Sequence, residues 1–220
     1  MTDHEPKRAG RPRGSSRAML EEASAELFLE QTYAGTTILQ ITRRAGVGRA
    51  TFFNYFTAKS DLLWVDVDAG LALFPAALED CAAASGPVEA VDAVERALLQ
   101  VCAGFGPGQV PWALTQDELM GTTGELEASA LSRFMALVAL VTRFVGARSG
   151  TDAAGPGAAD GTADGRELAG RAFAMAVLAA AAAAAGVWAR AGVTRGTLAA
   201  YVSAAIAPVC AGYRALHGRG

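Results

Sequence analysis

Histidine is almost missing from this chain: His4 and His217 are the only two, and both fall in polar segments near its ends. A buried Ser–His–Asp or Cys–His couple therefore has no imidazole to use. No GxSxG, Walker A or HExxH pattern is present either. Gly104-x-Gly106-x-Gly108 lacks the strand-then-helix setting of a dinucleotide loop. Asp66 and Asp68 are two apart on a helical stretch, where side chains diverge, so they make a poor metal pair. No catalytic residue, metal site or cofactor is expected, and the chain reads as something other than an enzyme.

Cysteine is scarce as well. Cys81, Cys102 and Cys210 are odd in number, form no CxxC pair and sit in apolar helical contexts, as reduced thiols of a cytoplasmic protein would. Charged residues make up 19%, but 52% of the chain is hydrophobic, which excludes a disordered protein. β-branched and aromatic residues are modest, and no useful period-2 run or internal repeat occurs, which leaves helix favoured over sheet. No apolar leader pattern opens the chain, so a cytoplasmic location is expected. One uncharged and mostly apolar run, Ala172 to Ala189, is nearly long enough to span a bilayer. It is dominated by the alanines 179–185, which bury little area, so insertion would be weakly driven. It reads as a helix packed closely on other helices, with no membrane partner.

What is present is unevenly placed. The net charge is −3, yet residues 1–60 hold nine Lys and Arg against six Asp and Glu. Lys7, Arg8, Arg11, Arg13 and Arg17 have no acid between them. One end is suited to a polyanion and the other is not. Residues 1–14, with Pro6, Gly10, Pro12 and Gly14, predict a flexible basic arm. Ser16 to Gln31 predicts a helix with Leu20, Ala23, Leu27 and Phe28 on one stripe. Thr37 opens a second helix through a capping box with Gln40. Gly46-Val47-Gly48 ends it, Gly46 being free to take the left-handed conformation of a sharp turn. A third helix is expected from Arg49 to Phe56, and a fourth from Ala58 past Leu71 and Phe74. Further helices are expected near 88–105, 110–119, 125–148, 167–191 and 195–216, separated by glycine-bearing breaks. Residues 149–166 predict a mobile loop.

Two short helices joined by a glycine turn, behind a packed first helix, match a helix-turn-helix spanning residues 15–62. Phe52 and Phe56, four apart, form the inward face of its second helix. The outward face presents Arg49, Ala50, Phe53 and Asn54, with Thr51 at the edge. Arg49 suits guanine O6 and N7, Asn54 suits adenine, and Ala50 or the Thr51 methyl suits a thymine methyl. Phosphate contacts are expected at Thr36, Thr37, Tyr55 and Lys59. Arg11 and Arg13 suit a minor groove. The expected partner is double-stranded DNA.

Thr36-Thr37-x-x-x-Ile41, Ala45-Gly46-Val47 and Phe52-Phe53-x-Tyr55-Phe56-x-x-Lys59-x-x-Leu62 together resemble the DNA-binding signature of the TetR/AcrR regulators. Lys59-Ser-Asp-Leu-Leu-Trp64-Val-Asp-Val-Asp68 is similar to the actinobacterial subgroup near the mycofactocin regulators, some of which are thought to respond to acyl-CoA. The resemblance implies an all-α homodimer of about nine helices per chain. Residues 63–220 would form a ligand-binding and dimerisation domain, whose last two helices make a four-helix bundle with the partner. A small-molecule effector, apolar or amphipathic, would change the separation of the two reading heads. Repression is the commoner behaviour in the family. Thr32, Thr42, Gly48, Ala50 and Phe53 depart from the family pattern, which more often has glycine, alanine, serine, glycine and tyrosine there.

The C-terminal region offers candidates rather than a motif. Trp112 and Phe134 are the preferred pocket residues, with Phe105 and Met175 beside them, although plain core is the ordinary role of such side chains. Arg133 and Arg143 suit an anionic ligand, and Asp117 and Glu118 a cationic one. Small residues let helices approach closely, so Leu178 and Ala182, with Leu198, Tyr201, Val202, Ala205 and Val209 on a facing helix, predict the dimer interface. A two-fold dimer would set its reading helices about one DNA turn (~34 Å) apart on a near-palindromic operator. An architectural DNA binder that answers to no ligand is the rival reading.

Overall fold

The computed structural model describes residues 13–83, 90–149 and 163–217. Among them there are helices and no strand. They divide into two units, one holding the described residues up to 65 together with 116–126 and the other holding the rest.

The first unit is built on α1 (Arg13–Gly35), α2 (Ile38–Arg44) and α3 (Arg49–Phe53). Leu20, Phe28, Ile41 and Phe52 are fully buried between them, and Leu62 adds to this core. Arg13 is the first residue of α1 rather than part of an irregular arm, and Arg11 lies outside the described residues. The α1 backbone breaks at Gln31 and Thr32, and Thr32 sits at φ 66°, ψ 163°. A β-branched residue is strained there, which is the physical sense of a glycine preference at this position. The capping box of α2 forms as the sequence requires: Gln40 N–H donates to the Thr37 hydroxyl, and Thr37 N–H donates to Gln40 Oε1 at 2.7 Å. Gly46 turns the chain at φ 65°.

Helix α3 stops at Phe53, and a 3-10 turn spans Lys59–Leu63. The long fourth helix expected from Ala58 is instead two helices, α4 (Val65–Leu71) and α5 (Phe74–Ala83). Trp64 leaves helical geometry at φ −107°, ψ 2°. Pro75 explains the second break, since it has no N–H for the carbonyl four residues back and its ring crowds that carbonyl. Helix α6 is Ala90–Ala103. The single helix expected over 110–119 is also split, into α7 (Trp112–Thr115) and α8 (Asp117–Met120). Then come α9 (Thr123–Ser149), α10 (Ala163–Arg190) and α11 (Leu198–His217). The expected mobile loop falls mostly in 150–162, outside the described residues.

The second unit packs α6, α10 and α11 together, with α5 against α6. Phe74, Leu78, Val94, Val141, Phe173, Val177, Trp188 and Ile206 are its core. Three stretches are long and apolar enough to cross a membrane by length and composition: Thr123–Arg148, Glu167–Arg190 and Leu198–Ala215. Each turns a face into this core, through Val138 and Val141, Ala174 and Val177, and Val202 and Ile206 respectively. Trp188 Nε1 donates to the Gly196 carbonyl at 3.0 Å and closes the turn between α10 and α11.

Candidate nucleic-acid interface

Helix α3 is short, and its direction is set from beneath. Phe52 is completely buried and Phe56 nearly so, with ring centroids 5.5 Å apart. Gly48 caps α3 with extended backbone and no side-chain bond, a small loss relative to serine. With Phe52 anchored, helical periodicity leaves Arg49, Ala50, Phe53 and Asn54 exposed and Thr51 half-buried. The residues assigned to base contact are thus brought together on one solvent face. The Arg49 guanidinium lies over the Phe53 ring, 5.6 Å from its centroid.

The residues assigned to phosphate divide differently. Thr37 is exposed, although its hydroxyl and N–H are engaged with Gln40. Tyr55 is half-buried, its ring tilted against Phe56. Thr36 does not face solvent at all. Its hydroxyl donates toward the carbonyls of Thr32, at 2.8 Å, and Leu27, at 3.2 Å, and accepts from Gln31 Nε2. Its N–H is spent on the Tyr33 carbonyl. Thr36 is therefore a staple between the end of α1 and the start of α2. A hydroxyl that satisfies buried carbonyls is not available to a phosphate without exposing them.

Lys59 is also turned inward. Its ammonium donates to the Tyr33 carbonyl at 2.7 Å and the Thr36 carbonyl at 2.8 Å, and sits 3.8 Å from the Tyr33 ring centroid. Burial holds its pKa below the usual lysine value, with the negative charge of Glu125 acting the other way. Lys59 thus shapes the turn that presents α2. Arg44, on the exposed side of α2, pairs with Glu26 and Glu30 of α1.

Two features of this unit were not legible beforehand. Residues 116–126 belong to it, with α8 against α1. The Tyr33 hydroxyl hydrogen-bonds to Glu125, and burial first, then that carboxylate, raises its pKa. Met120, Thr122 and Leu126 are the buried residues of this segment.

In the second unit, Trp112, Phe105 and Phe134 are half-buried, the last two against the core. The Phe105 ring is pressed on Gly70: a Cβ built there would meet Phe105 Cε2 at 2.6 Å. Arg133 makes a bidentate pair with Asp68, at 2.7 and 2.8 Å. Met175 does not join the aromatic set, being 41% exposed. It lies seven residues from Ala182 on the outward stripe of α10, while Phe173, Ala174, Val177 and Leu178 turn inward. Of the residues assigned to a dimer face, Leu178, Leu198 and Val202 are buried in this chain's own core. Ala182 is exposed, and Tyr201, Ala205 and Val209 are half-buried. The outward faces are instead Met175, Ala179, Ala182 and Val187 on α10, and Ala204, Ala207 and Pro208 on α11.

Residues 20–63 match the family model of the bacterial regulatory proteins of the tetR family, and residues 88–214 match the MftR C-terminal domain. The chain is similar to MftR of Mycobacterium tuberculosis, named as a mycofactocin biosynthesis transcriptional regulator. Identity is 26% over 143 residues, covering 65% of this chain and 70% of that one. It is also similar to the HTH-type transcriptional regulator TcmR of Streptomyces glaucescens, at 34% identity over 140 residues, covering 62% of each. The fold is shared with Thermus thermophilus FadR, a transcriptional repressor solved in complex with lauroyl-CoA. There the TM-score is 0.50 and the identity 20%, over 88% of this chain and 92% of that one.

Proposed function

The chain belongs to the TetR family of bacterial regulatory proteins, and from that premise we propose that it is a cytoplasmic repressor binding a near-palindromic operator as a homodimer. The observation that carries this reading is the division of α3. Phe52 and Phe56 anchor it, while Arg49, Ala50, Phe53 and Asn54 stand out as a groove-reading face. Base contacts come from these residues and the Thr51 edge. Thr37 and Tyr55 supply phosphate contacts, and Arg11, with Arg13 at the start of α1, supplies minor-groove contacts.

Dimerisation uses the outward faces of α10 and α11. Met175, Ala179, Ala182 and Val187 form an exposed apolar surface whose small side chains let helix axes approach closely. The effector is a small apolar or amphipathic molecule taken by the second unit near Phe105, Trp112 and Phe134. Its binding releases the DNA.

Fluorescence anisotropy on DNA from upstream of this gene, against a scrambled duplex at two salt concentrations, tests the reading. Tight, salt-sensitive binding selective for the upstream DNA is expected. Equal binding to both duplexes overturns it in favour of an architectural binder. Lauroyl-CoA, the ligand of the FadR structure, is the first effector to titrate against the formed complex.

A further inference from the structure

Phe53 is an apolar ring beside the polar or small exposed residues Arg49, Ala50 and Asn54. It is 47% exposed, and it belongs to the exposed face of α3 rather than to the core. Its position is nonetheless held. Its ring meets the fully buried Phe52 edge-on, with centroids 5.2 Å apart and planes at 82°. The Arg49 guanidinium also lies over the Phe53 ring, 5.6 Å from the ring centroid. A flexible arginine is thereby laid along a ring that is itself fixed from below, which lowers the entropy lost when the guanidinium engages a base.

The two groups have complementary chemistry. Phe53 carries no donor or acceptor, so it holds neither a phosphate oxygen nor a polar base edge. The apolar group that a major groove offers is the thymine C5-methyl. A guanidinium fork fits guanine O6 and N7. Side chains in mutual contact reach base pairs about one stacking step (~3.4 Å) apart rather than distant ones.

We infer that Arg49 and Phe53 act as one reading unit for a guanine adjoined by a base pair whose thymine methyl packs on the Phe53 ring. The inference rests on the DNA-binding reading of α3 and adds to it the base class at the neighbouring position.

The test uses the full chain. A duplex is selected from a random double-stranded library, and each thymine of the selected half-site is then replaced singly by deoxyuridine, which removes only the methyl. For the wild-type protein, one replacement beside a guanine is expected to weaken binding about three- to fivefold, the worth of one buried methyl. Phe53→Ala, an exposed substitution, should bind the thymine and uracil duplexes equally. Phe53→Leu, which keeps an apolar contact, should retain part of the difference. Arg49→Lys should relax the preference at the adjoining guanine.

If every uracil replacement is silent, or if Phe53→Ala keeps the wild-type ratio, this inference is overturned while the regulator reading stands. A sensitive thymine remote from the guanine relaxed by Arg49→Lys also overturns it. If no duplex is enriched, the DNA-binding reading fails and this inference fails with it.

Discussion

Lys59 and Tyr33 form a closed unit: the ammonium donates to the Tyr33 carbonyl at 2.7 Å and lies 3.8 Å from the centroid of the same residue's ring. The Thr36 carbonyl takes a second N–H. Charge-assisted bonds of this kind are worth more than neutral ones, and losing them takes this donor from the Thr36 carbonyl and leaves the Tyr33 carbonyl with the Thr36 N–H. Lys59→Met should lower stability by about 1–3 kcal/mol, read as a lower urea midpoint without DNA. DNA affinity should fall too, with the slope of log affinity against log salt unchanged. A slope reduced by about one unit would instead make Lys59 a direct phosphate contact.

Thr32 is the one described non-glycine residue at positive φ, at 66°. Its side chain gains only a 3.4 Å bond from the Gly35 N–H. Strain of this kind costs about 1–3 kcal/mol, and a glycine gives part of that back as backbone entropy in the unfolded chain. Thr32→Gly should therefore stabilise the protein by about 1 kcal/mol. A lower melting temperature for this variant would show that the Thr32 backbone is not strained.

Gly70 and Phe105 pack without room between them. Gly70→Ala must displace the ring, and overpacking of this kind costs about 1–3 kcal/mol. Phe105→Ala removes the obstacle. The two substitutions together should cost less than the sum of their separate costs, which a double-mutant cycle in urea measures. Strict additivity would mean that the ring and residue 70 are not in contact.

Burial pushes the Cys102 and Cys210 thiols up to about 11. Raising a thiol's pKa disfavours the thiolate, so at pH 8 roughly one molecule in a thousand carries it at either site. Cys81 is half-exposed on α5. Iodoacetamide added to the native protein at pH 8 should alkylate Cys81 first, half-buried Cys102 more slowly, and buried Cys210 only after urea is added. Mass spectrometry of the peptides distinguishes the sites. Early labelling of Cys210 would show that α11 opens from α6 and α10 in solution.

The helix-turn-helix could be read from the sequence because its determinants are local. Thr37 and Gln40 are three residues apart and cap one another, Gly46 supplies the left-handed turn, and Phe52 and Phe56 share a face by helical period alone. The breaks at Trp64 and before Pro75 were less legible. The hydrophobic pattern continues through both: Pro75 marks the second break in the sequence, whereas at Trp64 only the backbone shows where helical geometry stops. Three matters were decided by tertiary structure. Residues 116–126 join the N-terminal unit through partners far away in the chain, as Tyr33 and Glu125 show. Thr36 and Lys59 look like solvent-facing polar groups in the sequence, yet the buried carbonyls of the α1–α2 turn claim both. The inward side of α10 had no signature either: a run of alanines is equally apolar on every face, so periodicity says nothing until Phe173, Val177 and Trp188 find their neighbours on other helices.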